Sequence, residues 1–184
     1  MIIVEGCDGT GKTTLVQTLA DDLHLQLGKR GVENRDLLYE VTRQDTYGAL
    51  SGAVAGYASP RIWDRLFFSE LVYHKPMQRD NQFKLPERDY ILAVLKALKC
   101  PIIFCSVPLE VATENIEKAH QMDTVSENLP YIHGAYESLA QSVEGAHTYD
   151  YRTPSAYGEL VADVIEPYLL RRKDREWRHD AASD

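Results

Sequence analysis

Apolar residues recur along this chain in two alternating rhythms. Short runs rich in β-branched and aromatic residues, such as Ile2-Ile3-Val4 and Ile102-Ile103-Phe104, alternate with longer stretches in which leucines return every fourth position, as at Leu15, Leu19, Leu23 and Leu27. The first rhythm predicts buried strands and the second predicts amphipathic helices. Strands are expected at Met1 to Glu5, Leu37 to Val41, Arg61 to Asp64, Ile102 to Val107 and His147 to Tyr151. Helices are expected at Lys12 to Leu27, Thr46 to Tyr57, Leu66 to His74, Glu87 to Leu98, Leu109 to Ala119, Ser126 to Gln141 and Pro154 to Arg171. Strand and helix alternating from end to end predict an α/β fold, with a five-stranded, mainly parallel sheet and helices on both faces. Ligands of such sheets bind beyond the carboxyl ends of the strands. Chemistry is therefore expected after Glu5, Val41, Asp64, Val107 and Tyr151.

The first of those places carries a recognisable pattern. Gly6-Cys7-Asp8-Gly9-Thr10-Gly11-Lys12-Thr13 follows a β-branched run, precedes a helical one, and meets G-x-x-x-x-G-K-[ST] at each fixed position. Glycines let a backbone curl into a nest of inward N–H groups, and the helix that follows adds its positive end to the same anion site. The pattern assigns Gly6 through Thr14 to a nucleoside triphosphate, ATP, with Lys12 reaching the β- and γ-phosphates. The Thr13 hydroxyl would ligate Mg2+.

Composition narrows the setting. The 184 residues suit one domain with a core large enough to need neither disulfides nor metal. No apolar run has the length to cross a bilayer and no leader precedes the first strand, so no membrane association and a cytoplasmic location are expected. Cys7, Cys100 and Cys105 form no C-x-x-C pair; the latter two read as small packing residues, and Cys7 as loop filler rather than a reactive thiol. A formal charge of −8 argues against general adhesion to nucleic acid but leaves room for a local basic groove. From residue 171 the chain turns basic, with Arg171, Arg172, Lys173, Arg175 and Arg178 around Trp177, before an acidic end. Such a tail reads as a solvated helix end or as a contact for a nucleic-acid strand.

A second motif starts at the end of the third expected strand. In Asp64-Arg65-Leu66-Phe67-Phe68-Ser69-Glu70-Leu71-Val72-Tyr73-His74 the aspartate can face the Mg2+ of the P-loop and the arginine can reach a phosphate. The segment resembles the D-R-Y-x-x-S-x-x-A-Y-Q signature of thymidylate kinases at Asp64, Arg65, Ser69 and Tyr73, and departs from it at Leu66, Val72 and His74. Glu5 through Thr14 is similar to that family's E-G-x-D-G-x-G-K-T-T. The resemblance implies a P-loop kinase domain over residues 1–170 followed by the tail at 171–184. It also implies phosphoryl transfer from ATP with Mg2+ held by Thr13 and Asp64, and Asp8 and Arg65 close to the acceptor. Arg152, after the last strand, matches the place of the family's adenine loop. The family's frequent dimers imply a possible homodimer.

The chain lacks several of the family's arginines. Gly9 stands where some members carry one in the P-loop, and the expected lid, Glu117 to Thr124, has none; Lys118, Arg79 or Arg88 would have to substitute. The pattern looks closer to compact bacteriophage relatives, in which a proline and an arginine, here Pro76 and Arg79, follow the second motif. Some of that group phosphorylate the hydroxymethyl of 5-hydroxymethyl-deoxyuridine within DNA. An alcohol acceptor needs no clamp for an acceptor anion but gains from a carboxylate that takes its proton, for which Glu40 and Asp64 are the candidates. A stacked base must be extruded or met single-stranded, which calls for an aromatic wall. Tyr73 is expected at that pocket and Phe68 in the core. The expected partners are DNA containing a modified thymine or, as the alternative, a free deoxynucleotide such as thymidylate. A nucleotide-binding protein without transferase activity is the third reading.

Overall fold

The computed structural model describes residues 1–24, 26–27, 61–78, 85–119 and 123–171. Strands β1 (Ile2–Glu5), β3 (Arg61–Asp64), β4 (Ile102–Cys105) and β5 (His147–Tyr149) form a parallel sheet in the order β3-β1-β4-β5, each within an interval that the apolar runs predict. The expected strand Leu37 to Val41 and helix Thr46 to Tyr57 lie outside the described residues.

One boundary differs from expectation. Helix α1 (Lys12–Asp22) stops before Leu27, and the two-residue segment β2 (Gln26–Leu27) pairs in parallel with the outer edge of β3. Leu23 leaves helical geometry and His24 adopts a left-handed backbone with φ 50°, a conformation that closes a helix and redirects the chain. The leucine spacing thus continues past the point where the backbone changes partner.

Sheet residues alternate between two cores, as the period of a strand requires. Ile2, Val4, Ile62, Ile103, Cys105 and Tyr149 face α1 and the C-terminal helix, through Leu15, Val16, Leu19, Leu160, Ile165 and Tyr168. Ile3, Trp63, Ile102 and Phe104 face the other layer. That layer contains α2 (Phe67–Tyr73), α3 (Leu85–Ala97), α4 (Leu109–Ala119) and α5 (Asp123–Ser142). Phe68 is fully buried and meets Phe104 edge-on at 5.4 Å between ring centroids, in the core position expected for it. The C-terminal helix opens as α6 (Ala156–Leu160), widens into a π turn at Val161–Ile165, and runs on to Arg171. No helix among the described residues is long and apolar enough to cross a membrane.

This topology creates the site. The chain leaves β1 between two neighbours reached by opposite crossovers, β3 on one side and β4 on the other. A crevice opens at the carboxyl end of the central strand, where the segment Gly6 to Gly11 begins.

Candidate active site

Backbone geometry prepares the loop for an anion. Gly6, Gly9 and Gly11 adopt φ values of 146°, 79° and 78°. At Gly9 a Cβ would lie 2.4 Å from the Ala112 carbonyl oxygen, so glycine is required both by its dihedral and by the close approach of α4. Thr10 Oγ1 donates to the Cys7 carbonyl at 2.8 Å and closes the turn internally. No side chain caps the first turn of α1, so its N–H groups face the crevice. Among the described residues the crevice encloses about 780 Å³ and is lined by the loop, by Thr13 and Thr14, and by Asn115, Tyr151 and Tyr157.

Two ion pairs, one buried and one half-buried, cross from this loop to the end of β3. Lys12 Nζ lies 2.7 Å from Asp64 Oδ1, with the side chains 4% and 8% exposed. Arg65 Nη2 lies 2.7 Å from Asp8 Oδ1, and its guanidinium sits 4.8 Å above the Tyr73 ring. The Tyr73 hydroxyl donates to the other Asp8 oxygen at 2.8 Å. Arg65 adopts φ 69°, unusual for a residue with a side chain, while its N–H donates to the Val4 carbonyl at 2.8 Å. The strand ladder is thereby carried one residue past β3, and the left-handed turn then aims the guanidinium at Asp8.

Beneath these pairs, fully buried Glu5 ties three elements together. Its carboxylate accepts hydrogen bonds from the Leu66 N–H and from Ser69 Oγ at 3.0 Å, and the Tyr136 hydroxyl of α5 donates to it at 3.2 Å. Burial pushes its pKa up to about 7, against the lowering effect of the Leu66 N–H, Arg65, Ser69 and Lys12. Burial, and then the charge of Asp8, push the Cys7 thiol up to about 12, so this loop cysteine is packing rather than a nucleophile at neutral pH.

Lys12, Asp64, Arg65, Asp8 and Tyr73, far apart in sequence, are therefore brought together as the two motifs imply. Tyr73 differs from expectation in one respect. It is only 7% exposed, carries Arg65 on its ring and packs against Tyr136 at 6.2 Å, so its hydroxyl reaches the site while its ring is committed. Arg152 is not brought to the crevice: its guanidinium forks onto Asp150 at the surface, with Nε 3.0 Å from Oδ1 and Nη2 2.5 Å from Oδ2. A carboxylate two residues away captures the cation, and the adjacent Tyr151 lines the crevice instead. Glu40 and Arg79 lie outside the described residues.

The sequence offered no signal for Asn115. Its Nδ2 donates to the Gly9 carbonyl at 2.7 Å and to the Tyr151 hydroxyl at 3.1 Å, joining α4, the loop and the segment after β5. Among the described residues no cluster of three or more His, Cys, Asp or Glu could hold a metal. Magnesium at a phosphate site needs less, because substrate oxygens and water complete its shell, and a hydroxyl with one carboxylate, Thr13 and Asp64, fits that donor set.

No protein-family model matches the chain, and no curated protein matches it. Solved structures do share its fold. The YorR protein from Bacillus subtilis, in complex with phosphorylated GDP, is similar with a TM-score of 0.60 at 19% identity, over 97% of this chain and 98% of that one. Deoxyadenosine kinase from M. mycoides is similar with a TM-score of 0.54 at 14% identity when it holds dCMP and dCDP, over 90% of this chain and 98% of that one. With bound dCTP it is similar with a TM-score of 0.55 at 16% identity, over 90% and 100%. The fold is thus one that a deoxyadenosine kinase uses.

Proposed function

We propose that this chain is a P-loop kinase that transfers the γ-phosphoryl group of ATP to a hydroxyl of a deoxynucleotide, and that the acceptor is the 5-hydroxymethyl group of 5-hydroxymethyl-deoxyuridine in DNA. The observation that carries this reading is the commitment of Arg65. Among the described residues Arg65, the cation beside the loop other than Lys12 of the donor site, is taken up by Asp8 and by the Tyr73 ring rather than offered to an acceptor phosphate. An uncharged alcohol requires no such clamp. In the reaction the acceptor oxygen bonds to phosphorus, the bond to the departing ADP breaks, and a carboxylate takes the hydroxyl proton. Asp64 is the described candidate for that proton, with Glu40 the alternative. Lys12 supplies charge at the β- and γ-phosphates, and the N–H groups of the loop orient them. Magnesium, when bound, would neutralise charge at those phosphates, held by Thr13 and, where Glu40 takes the proton, by Asp64. Thymine hypermodification in a bacteriophage is the setting that this acceptor implies.

A free deoxynucleotide is the second reading, favoured by the charge of −8 and by the ligands in the M. mycoides deoxyadenosine kinase structures. Retention of Lys12 and Thr13 in the crevice, with Asp64 paired to Lys12 and Arg65 to Asp8, weighs against a nucleotide-binding protein without transferase activity. Labelled γ-phosphate ATP with Mg2+ should be offered in parallel to DNA containing 5-hydroxymethyluracil, unmodified DNA, thymidylate, 5-hydroxymethyl-deoxyuridylate and deoxyadenosine. Label entering only the modified DNA supports the first reading, and label on a free acceptor replaces it with the second. Truncation after Leu170 should weaken the DNA substrate alone if the basic tail holds the strand.

A further inference from the structure

The P-loop pattern fixes glycines and a lysine but not the peptide planes between them. Two carbonyls of this loop are held by side chains, one from inside the motif and one from outside it. Thr10 Oγ1 donates to the Cys7 carbonyl at 2.8 Å, and Asn115 Nδ2, from α4, donates to the Gly9 carbonyl at 2.7 Å. A carbonyl oxygen only accepts, so the Asn115 atom that meets it is the nitrogen, whose second N–H is left for the Tyr151 hydroxyl at 3.1 Å. The Gly9–Thr10 peptide is trans, so the Thr10 N–H points away from the oxygen that Asn115 holds. Thr10 is only 1% exposed, and among the described residues its N–H meets no acceptor. A buried backbone donor of this kind is stabilised when a ligand takes it.

From this arrangement we infer that Asn115 is a positioning residue for the phosphate loop: by holding the Gly9 carbonyl against α4, it turns the Thr10 N–H toward the phosphates of the bound nucleotide. This role rests on the reading of the loop as a triphosphate site. Gly9, at a φ of 79°, has the backbone freedom that would let this peptide rotate. A rotated peptide would present a carbonyl oxygen, with its partial negative charge, to an anion. The Asn115 amide opposes that rotation with one hydrogen bond, and so acts through the peptide rather than on the nucleotide. Aspartate has nearly the same size, yet its carboxylate oxygen would face the Gly9 carbonyl and favour the rotated peptide. The position therefore requires a donor.

The test is binding of inorganic tripolyphosphate and of ATP, each with Mg2+ and without any acceptor, to the full chain and to Asn115→Ala, Asn115→Asp and Tyr151→Phe, with the Thr10 amide resonance followed by NMR. Asn115→Ala should weaken both ligands by the same factor, about tenfold, the scale of one hydrogen bond to a charged group. Asn115→Asp should weaken them more. The Thr10 amide proton should move downfield when tripolyphosphate binds the native chain, and that shift should shrink in Asn115→Ala. Tyr151→Phe removes only the other partner of Asn115 and should cost less than Asn115→Ala. Native affinity with a native Thr10 shift in folded Asn115→Ala overturns the inference, because the bond would then serve packing alone. A loss confined to ATP also overturns it, since the peptide faces phosphates and not a base, as does tighter binding by Asn115→Asp than by Asn115→Ala. Where Asn115→Ala fails to fold, the nearly isosteric Asn115→Asp carries the same affinity and resonance readings. A native chain that binds neither ligand refutes the triphosphate reading itself, whereas native-like binding by the variants refutes the role of Asn115 alone.

Discussion

Lys12 and Asp64, separated by 52 residues, meet at 2.7 Å with both side chains almost wholly buried, and so join the P-loop to the end of β3 in one ion pair. Removing one partner takes from the other its ion pair at a position almost wholly out of water. Lys12→Ala should therefore lose about 3–5 kcal/mol of stability as well as phosphoryl transfer. Near-normal turnover in a folded Lys12→Ala protein would remove the P-loop assignment. Asp64→Asn should lower the rate far more than it lowers ATP affinity, and equal losses would reduce Asp64 to ground-state binding.

Glu5 makes stability depend on pH in the direction opposite to a salt-bridged carboxylate. Its folded pKa of about 7 lies above the unfolded value of 4.5, so the folded chain binds more protons between those values. Stability should fall as pH rises from about 4.5 to 7, by roughly 3 kcal/mol. Glu5→Gln can keep the contacts to Leu66, Ser69 and Tyr136 without titrating. Urea unfolding at pH 5 and pH 7.5 should show this slope in the native chain and lose most of it in Glu5→Gln; parallel slopes would refute the assignment.

Arg65 combines a left-handed backbone with two contacts that only its side chain can make. Arg65→Gly and Arg65→Ala both lose the Asp8 pair and the Tyr73 face, and both should lower transfer by about two orders of magnitude. Glycine tolerates φ 69° and alanine does not, so the glycine variant should be more stable by about 1 kcal/mol in chemical denaturation. Equal stabilities would show that the turn carries no strain.

Gly9→Ala places a methyl group 2.4 Å from the Ala112 carbonyl oxygen at a φ of 79°. The loop must then move away from α4 and stretch the Asn115 bond to the Gly9 carbonyl. A loss of about 1–3 kcal/mol is expected, together with weaker ATP binding, readable by thermal unfolding with and without nucleotide. An ATP-induced stabilisation equal to that of the native chain would refute the role of this contact.

Much of the fold and half of the site are legible in the residues in order. Alternation of apolar rhythms locates β1, β3, β4 and β5, because strand and helix periods are local properties of a few consecutive residues. The P-loop and the Asp64-Arg65 pair are legible for the same reason: each is a short string at a strand end, where a parallel sheet exposes its ligand edge. The end of α1 is not, since Leu27 continues the helical spacing while hydrogen bonding along β3 takes Gln26–Leu27 into the sheet. Nor are the partners of Asp8, which receives Arg65 and Tyr73 from 57 and 65 residues away.

The wall of the crevice after β5 is where sequence and tertiary structure part most clearly. Arg152 and Tyr151 are adjacent, and spacing alone cannot say which of two neighbours turns inward. Asp150 draws the guanidinium to the surface, whereas Asn115, on a helix 36 residues earlier, holds the Tyr151 hydroxyl. The sequence by itself determined the elements and the phosphate loop, because those depend on short-range periodicity and backbone freedom. Only the tertiary structure decided which charges neutralise each other and which ring lines the crevice, because those outcomes depend on distances between segments that the chain order does not contain.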